Sequence, residues 1–285
     1  MTKKENQIIT ITSDWGLKGY YLAVVKGQLL SCCPEATVVD ISHSIQPFNT
    51  SEAAFVLRNS FLHFPKNTWH VIEVSTDTPS DAAYLIVNHR EHFFIGRDDG
   101  IFSLLLEDNT PDGIFAINDP PETLFPMRDI YIPVLAQLFQ GVDIHNIARP
   151  VPSVRKWMSL TPIVFKSVVE GKTADIIKGQ VVYVDNYENI FTNIHRTVFD
   201  ETRHDATRFT LYVGGGYSRY PGLKISNNFQ KVRDGDIVTF FVNDYLVVAV
   251  KHGAAAGLLG GNEGEDVMVE FQMEKIVSLQ DDFKI

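Results

Sequence analysis

Asp14 is the first residue whose type and position could serve chemistry. It lies in Ser13-Asp14-Trp15-Gly16, directly after a β-branched run from Ile8 to Thr12. A carboxylate there can accept hydrogen bonds from both hydroxyls of a vicinal diol, and Gly16 lets the backbone approach a ligand closely. An aspartate at this point can also cap the helix that follows. The sequence therefore leaves two interpretations of Asp14 open, a ligand anchor and a helix cap.

A second group of polar and aromatic residues follows the strand-like run Val181 to Val184. It reads Asp185-Asn186-Tyr187-Glu188-Asn189-Ile190-Phe191-Thr192-Asn193. Aromatic rings can stack on a purine, amides can bind its edge, and a carboxylate can pair with an ammonium group. Asn and Asp also favour plain β-turns. The segment is therefore a candidate nucleoside-binding loop or a polar turn.

Other candidate motifs carry less information. His43 could be a base or a ligand, but a lone histidine in a loop is more often a hydrogen-bonded structural residue. Gly214-Gly215-Gly216 lacks the lysine and Ser/Thr of a phosphate-binding loop. The nine histidines and two cysteines show no metal-ligand spacing, and no Gly-x-Ser-x-Gly nucleophile motif occurs. We expect neither a metal nor a cofactor.

Composition excludes several classes of function. With 285 residues, 45% of them hydrophobic and 21% charged, the chain can form two folded domains. A formal charge of −10 argues against a nucleic-acid partner, which requires a dense basic surface. The adjacent Cys32 and Cys33 fit a reducing compartment, and no apolar stretch is long enough for a signal core or membrane span. We expect a cytoplasmic protein that binds a small molecule and no membrane.

The elements that must position Asp14 and His43 alternate between strands and helices. The apolar patterns predict strands and helices in this order: strand Ile8 to Thr12, helix Tyr20 to Leu30, strand Thr37 to Ile41, helix Thr50 to Phe61, and further strands Trp69 to Val74, Ala83 to Asn88 and His92 to Gly96. Such alternation predicts an α/β domain with a largely parallel sheet over residues 1–160. Ligands collect at the carboxyl ends of such strands, where Asp14 and His43 both lie.

The carboxyl-terminal part of the chain has a different pattern. Arg149-Pro150-Val151-Pro152 interrupts regular structure. Short strand-like runs separated by Gly, Asn and Asp turns follow: Gly179 to Val184, Phe209 to Val213, Asp236 to Val242, Leu246 to Lys251 and Asp266 to Phe271. This pattern predicts an all-β, barrel-like domain over residues 175–285.

Four segments follow one another along nearly the whole chain in an order that is specific. They are Ile9-Thr10-Ile11-Thr12-Ser13-Asp14-Trp15-Gly16, Val39-Asp40-Ile41-Ser42-His43, Phe94-Ile95-Gly96-Arg97-Asp98-Asp99-Gly100 and Val184 to Asn193. Together they resemble motifs of the S-adenosylmethionine (SAM) hydroxide adenosyltransferases, or SAM hydrolases, and of the related fluorinases and chlorinases. The chain resembles a divergent member of that family.

The resemblance implies a fold, an assembly and a set of ligand contacts. It implies an α/β amino-terminal domain, a β-barrel carboxyl-terminal domain, and a homotrimer whose site lies between the first domain of one subunit and the second of the next. Asp14 would bind the ribose hydroxyls, Asp185 the methionine amino group and Asn189 the adenine edge. The remaining ligand-binding residues implied are Trp15, Phe48, Thr76, Met127, Tyr187, Phe191, Asn243, Tyr245 and His252.

The water-binding residues of the family are altered in this sequence. In the hydrolases an Asp, an Arg and a His hold the water that attacks C5′ of SAM. By our alignment Ser75 stands at the aspartate, Ala82 or Ala83 at the arginine and Pro126 at the histidine. A remodelled loop could supply the carboxylate from Asp77 or Asp81 and the cation from Arg97 or Arg128.

Three functions are compatible with this alteration. Hydrolysis of SAM to adenosine and L-methionine comes first, with Ser75, Asp77 and Arg128 as the candidate catalytic residues. A protein that binds SAM or a nucleoside without turnover comes second. Ser75 and Thr76 could also form a hydroxyl-lined anion pocket like that of a halogenase, which we rank third because nothing else marks a dehydrated halide site.

Overall fold

The computed structural model describes residues 7–74, 81–107, 109–157, 161–169, 172–215, 218–226 and 228–272. The candidate residues Ser75, Thr76 and Asp77 lie outside these ranges. The chain separates into two compact units, residues 1–159 and 160–285. Each unit has a sheet and a hydrophobic core of its own.

The first unit is built on a seven-stranded sheet in the order β2-β1-β3-β5-β4-β6-β7. The strands are β1 (Ile8–Ser13), β2 (Thr37–Ser42), β3 (Trp69–Glu73), β4 (Tyr84–His89), β5 (His92–Arg97), β6 (Gly113–Ile117) and β7 (Ala148–Pro150). Strands β2, β1, β3 and β5 are parallel, whereas β4, β6 and β7 are joined by antiparallel pairs.

The sheet is therefore mixed, and the prediction of a largely parallel sheet is only partly right. The difference arises at the connection between β4 and β5. Arg90 and Glu91 both have positive φ, 51° and 62°, and form a two-residue turn. A parallel neighbour needs a crossover of about a dozen residues, so a two-residue connection forces β4 to run antiparallel to β5.

Helices cover the first sheet and bury two separate apolar clusters. The helices are α1 (Tyr21–Cys32), α2 (Thr50–Arg58), α3 (Ile101–Leu106), α4 (Ile132–Phe139) and α5 (Ile144–Ile147), with a 3-10 turn at Phe61–His63 and a π-helical turn at Met127–Tyr131. Residues of α1 and α4 share one cluster with Ile9 and Ile11, whereas α2 and α3 share the other with Ile72. The two clusters differ because successive strand residues point to opposite faces of a sheet.

The second unit contains an eight-stranded sheet with the path β12-β11-β15-β9-β10-β14-β13, and β8 pairs with β9. The strands are β8 (Ile163–Val169), β9 (Lys172–Val184), β10 (Ile190–His195), β11 (Phe209–Val213), β12 (Ser218–Leu223), β13 (Ile237–Val242), β14 (Tyr245–Val250) and β15 (Asp266–Gln272). All the strand pairs are antiparallel, and the 13-residue β9 pairs with β8, β15 and β10 along its length.

The antiparallel sheet of the second unit is curled, which confirms the all-β prediction in part. The unit also contains α6 (Arg196–Arg203), α7 (Ala255–Leu259) and a 3-10 turn at Phe229–Lys231, so strands are not its sole regular elements. An isolated bridge between Ile225 and Thr239 joins the segment after β12 to β13. Among the described residues of both units, no helix combines the length and the apolar character needed to span a membrane.

Candidate functional site

Asp14 lies at the carboxyl edge of the first sheet, immediately after β1. Its Oδ2 accepts the backbone N–H of Phe48 at 3.0 Å. Helix α1 begins at Tyr21, and Tyr20 at the N-cap position makes no side-chain capping bond. The helix-cap interpretation of Asp14 is therefore wrong. Asp14 instead holds the loop after β2, where Phe48 has a positive φ of 69° and a ring that is 65% exposed.

His43 fixes the backbone beside Asp14. Its Nδ1 lies 2.7 Å from Ser13 Oγ, and its Nε2 lies 3.1 Å from Asp40 Oδ1. Lys26 Nζ reaches the other oxygen of Asp40 at 2.6 Å. Although this arrangement joins a serine, a histidine and an aspartate, Ser13 is fully buried and cannot reach a substrate. The backbone oxygen of His43 accepts the Gly16 N–H at 2.7 Å, so His43 has the structural role that we favoured.

Glu73 is a residue of this edge that sequence reasoning missed. It is the last residue of β3 and pairs in register with Ser13, the residue before Asp14. The pKa of Glu73 is raised to about 8, mainly by burial. A hydrogen bond from the Met127 N–H and the charge of Arg97 oppose this shift, whereas the charges of Asp14 and Asp99 add to it. A charged residue between the apolar residues Val71-Ile72 and Val74 was the signal that could have identified it.

Arg128, the predicted catalytic cation, is engaged by its neighbour. Its Nε and Nη2 lie 2.6 and 2.8 Å from the two carboxylate oxygens of Asp129, and its guanidinium stacks over Phe125 at 5.2 Å. The Arg128 side chain is also 47% exposed. Asp81, the alternative carboxylate, is exposed and lies 3.6 Å from Arg155. The catalytic roles of these residues stay predictions.

Two further predicted ligand contacts pack into the first unit. The Trp15 ring meets Phe125 edge to face, with the ring centroids 5.4 Å apart. Met127 has no accessible side-chain surface and belongs to the core. Its backbone N–H donates to Glu73. The ligand contact expected of Met127 stays a prediction.

The Asp185 loop of the second unit is an ordered turn. Asp185 Oδ1 accepts the backbone N–H groups of Tyr187 and Asn189 at 2.9 and 2.8 Å, and Asp185 Oδ2 accepts the Asn189 side-chain N–H at 2.8 Å. These bonds orient the Asn189 amide so that its Nδ2 faces Asp185. The loop is therefore a polar turn, and its hydrogen bonds set the orientation of the Asn189 side chain.

A cavity of about 860 Å³ opens beside this turn. Small-molecule sites in proteins occupy roughly 300–1,000 Å³. The lining residues are Asn186, Tyr187, Glu188, Asn189, Phe229, Gln230, Val250, Lys251, His252, Gly253 and Ala254. The cavity brings together three of the predicted ligand contacts, Tyr187, Asn189 and His252. It also adds Phe229 and Gln230, which the sequence patterns did not indicate.

Asn243, Tyr245 and Phe191 are not part of this cavity lining. Asn243 and Tyr245 lie at the β13–β14 turn, whereas His252 follows the other end of β14. A six-residue strand spans about 17 Å, so these residues lie well apart within one unit, and their joint role in a ligand site stays a prediction. The ring centroids of Phe191 and Tyr183 lie 5.5 Å apart. Strand residues alternate between faces, so Phe191 lies on the sheet face opposite to the buried Ile190 and Thr192.

The sequence matches two family models along most of its length. Residues 9–148 match the SAM hydroxide adenosyltransferase N-terminal domain, and residues 179–268 match the SAM hydroxide adenosyltransferase C-terminal domain. The chain belongs to the SAM hydroxide adenosyltransferase family. The first matched segment contains Asp14 and Glu73, and the second contains Asp185 and the whole cavity lining.

Two curated relatives and a solved structure resemble the chain over about nine-tenths of its length. An (R)-S-adenosyl-L-methionine hydrolase of Methanocaldococcus jannaschii is 27% identical over 262 residues, which cover 88% of this chain and 91% of the relative. The enzyme of the same name from Thermus thermophilus is 26% identical over 271 residues, covering 90% and 96%. The crystal structure of an uncharacterized conserved protein from Thermotoga maritima superposes with a TM-score of 0.79 at 25% identity, covering 92% and 99%.

The described residues contain no group of three or more His, Cys, Asp or Glu side chains that could hold a metal ion. Residues 75–80 follow Glu73 and Val74 directly and lie outside the described part of the chain. The absence of a metal and of a cofactor from the site therefore stays a prediction.

Proposed function

We propose that this protein hydrolyses SAM to adenosine and L-methionine by attack of water at C5′. The observation that carries the proposal is the match to both domains of the SAM hydroxide adenosyltransferase family. The two relatives described above, which are named as SAM hydrolases, also support it. Methionine leaves as a neutral thioether, so the protein must mainly align a water molecule with C5′ and take up one proton. No metal or cofactor is needed for that chemistry.

In this proposal Asp14 binds the two ribose hydroxyls. A carboxylate offers about four lone-pair positions, so the hydrogen bond from Phe48 is compatible with binding a diol. The Phe48 ring is exposed on the residue whose backbone N–H donates to Asp14, and in this proposal it would cover one side of the sugar. Trp15 would contribute through the aromatic packing next to Asp14.

The cavity of the second unit would bind the adenine and the methionine amino group. The Asn189 side-chain N–H donates to Asp185, which leaves the amide oxygen to accept the exocyclic amino group of adenine. Tyr187 is 80% exposed at the cavity, and its ring could stack on the purine. In this proposal Asp185, next to the lining residue Asn186, would bind the methionine amino group, and the imidazole of His252 lines the cavity.

The hydrolysis is tested by incubating the purified protein with SAM and separating the products by chromatography. We expect adenosine and methionine in equal amounts, with no 5′-halogenated nucleoside when chloride or fluoride is added. Saturable binding of SAM without either product would instead establish a binding protein, and a halogenated nucleoside would establish a halogenase. The residues expected to form a halide pocket, Ser75 and Thr76, lie outside the described residues, so this experiment is the test of that last outcome.

We further propose a cytoplasmic homotrimer in which the first unit of one subunit and the second unit of the next share a site. The family resemblance supports this assembly, as it supports closure of the second sheet into a barrel. The bridge between Ile225 and Thr239 agrees with such closure. Sedimentation equilibrium should give a mass close to three times 32.1 kDa. A monomer that turns SAM over would contradict the shared site.

A further inference from the structure

We propose that Glu73 accepts the proton of the attacking water, a role that rests on the hydrolysis proposed above. Glu73 ends β3, and its register partner on the neighbouring β1 is Ser13. Adjacent strands lie about 4.8 Å apart. Glu73 and the ribose anchor Asp14 therefore emerge at the same edge of the sheet, on neighbouring strands.

The Glu73 carboxyl is only partly satisfied by the protein. The Met127 N–H donates to it, but Oε2 is buried and has no hydrogen-bond partner among the described residues. A buried acceptor without a partner costs about 1–3 kcal/mol. Such an atom calls for an explanation, and one is that Oε2 is kept for a water or substrate.

Titratable side chains from several elements surround Glu73. Asp14 follows β1, Arg97 ends β5 and Asp99 follows it, and all three act electrostatically on Glu73. Tyr84 on β4 and the buried Tyr131 also face it, since the charge of Glu73 raises the pKa of both phenols beyond the effect of burial.

The opposing effects on the pKa of Glu73 give it a value that suits a general base. Burial and the negative charges of Asp14 and Asp99 raise the pKa of Glu73 more than the Met127 hydrogen bond and the Arg97 charge lower it. The resulting pKa is about 8. General bases work best when their pKa lies near the working pH. A bound sulfonium cation would lower the pKa of Glu73, because a nearby positive charge stabilises the carboxylate.

The proposed step is balanced within the active site. The water oxygen forms a bond to C5′ while the C5′–sulfur bond breaks, and the bonding electron pair leaves with the thioether sulfur. One proton of the water passes to Glu73 Oε2. The products are adenosine, methionine and a protonated Glu73, which returns its proton to solvent after the products leave.

Glu73 supplies the carboxylate that the aligned position lacks. Ser75 stands where the family has the water-binding aspartate, two residues further along the chain. Arg97 lies at the end of the strand next to Glu73, whereas Arg128 is held by Asp129. We therefore assign the cation of this site to Arg97, as a positioning residue that acts on Glu73.

The test is the Glu73→Gln variant, assayed for kcat, KM and their pH dependence. We expect kcat to fall by about 100-fold, because removing a general base costs at least that factor, while KM and adenosine affinity change less than about threefold. The wild-type kcat/KM, which reports the ionisation of the free enzyme, should rise with pH through a pKa near 8, and the variant should lack that rise. The matched control is Glu270→Gln, a buried glutamate that accepts from the Tyr212 hydroxyl at 2.6 Å in the second unit.

Folding of the Glu73→Gln variant is checked by thermal unfolding at pH 9. The folded-state pKa of Glu73 is raised above its ordinary value of 4.5, so the wild type loses stability as pH rises from 4.5 through 8. The neutral variant should therefore unfold at the same or a higher temperature than the wild type. Wild-type kcat and pH profile in the variant would overturn the role of Glu73 alone. A wild-type protein that forms no adenosine would overturn both the hydrolysis and this role.

Discussion

Asp14→Ala is expected to lower kcat/KM for SAM by about 1,000-fold. The variant loses the carboxylate that would accept two ribose hydroxyls, and a hydrogen bond to a charged group contributes about 1.5–3 kcal/mol. Two such bonds together correspond to about 4 kcal/mol, or roughly three factors of ten. The measurements are steady-state kinetics with SAM and calorimetric titration with adenosine, which reports binding without turnover.

Asp14→Asn separates the ligand contact from the loop contact. The asparagine oxygen can still accept the Phe48 N–H, so the loop keeps its anchor while the charge is lost. We expect a loss of about 100-fold for this variant and an unchanged unfolding temperature. Asp205→Asn, at an exposed position of the second unit, should leave kcat/KM unchanged. Full adenosine affinity in both Asp14 variants would show that the diol binds elsewhere.

His70 should make the first unit sensitive to acid. Burial, and then the neighbouring His92, lowers the pKa of His70 to about 3. The ring is fully buried, with Nδ1 2.7 Å from Thr10 Oγ1 and Nε2 3.2 Å from His92 Nδ1. A folded-state pKa below the unfolded value of 6.5 gives stability that is present above pH 6.5 and lost as pH falls toward 3. Between pH 7.5 and 4.5 the loss from His70 is about 3 kcal/mol.

The comparison of wild type with His70→Gln isolates this effect. Glu73 acts with the opposite sign, because its raised pKa stabilises the protonated folded form as pH falls, so the wild-type curve alone would hide the contribution of His70. We expect the stability of the variant relative to wild type to improve by about 3 kcal/mol between pH 7.5 and 4.5.

Tryptophan fluorescence during urea unfolding is a suitable measurement for His70. All three tryptophans, Trp15, Trp69 and Trp157, belong to the first unit, so the signal reports on that unit. His63→Gln is the control, since His63 is exposed. A difference between wild type and His70→Gln that is equal at both pH values would contradict a buried neutral His70.

Local sequence patterns predicted the elements that carry the Asp14 and Asp185 loops. The β-branched run before Asp14 became β1, and the helix expected from Tyr20 to Leu30 is α1 within a residue or two at each end. The Asp185 segment is a turn between two strands, as its Asn and Asp content indicated. These features depend on the few residues around each site, and such residues are adjacent in the sequence.

The sequence by itself determined the family, the candidate anchor Asp14 and the polar turn at Asp185, because motif order and local periodicity are written along one stretch of chain. The tertiary structure decided what surrounds them. Strand order placed Glu73 beside Ser13, 60 residues away in sequence. It also separated Tyr245 from His252 along β14. Strand pairing and register depend on contacts between distant residues, and no local pattern in this chain encodes them.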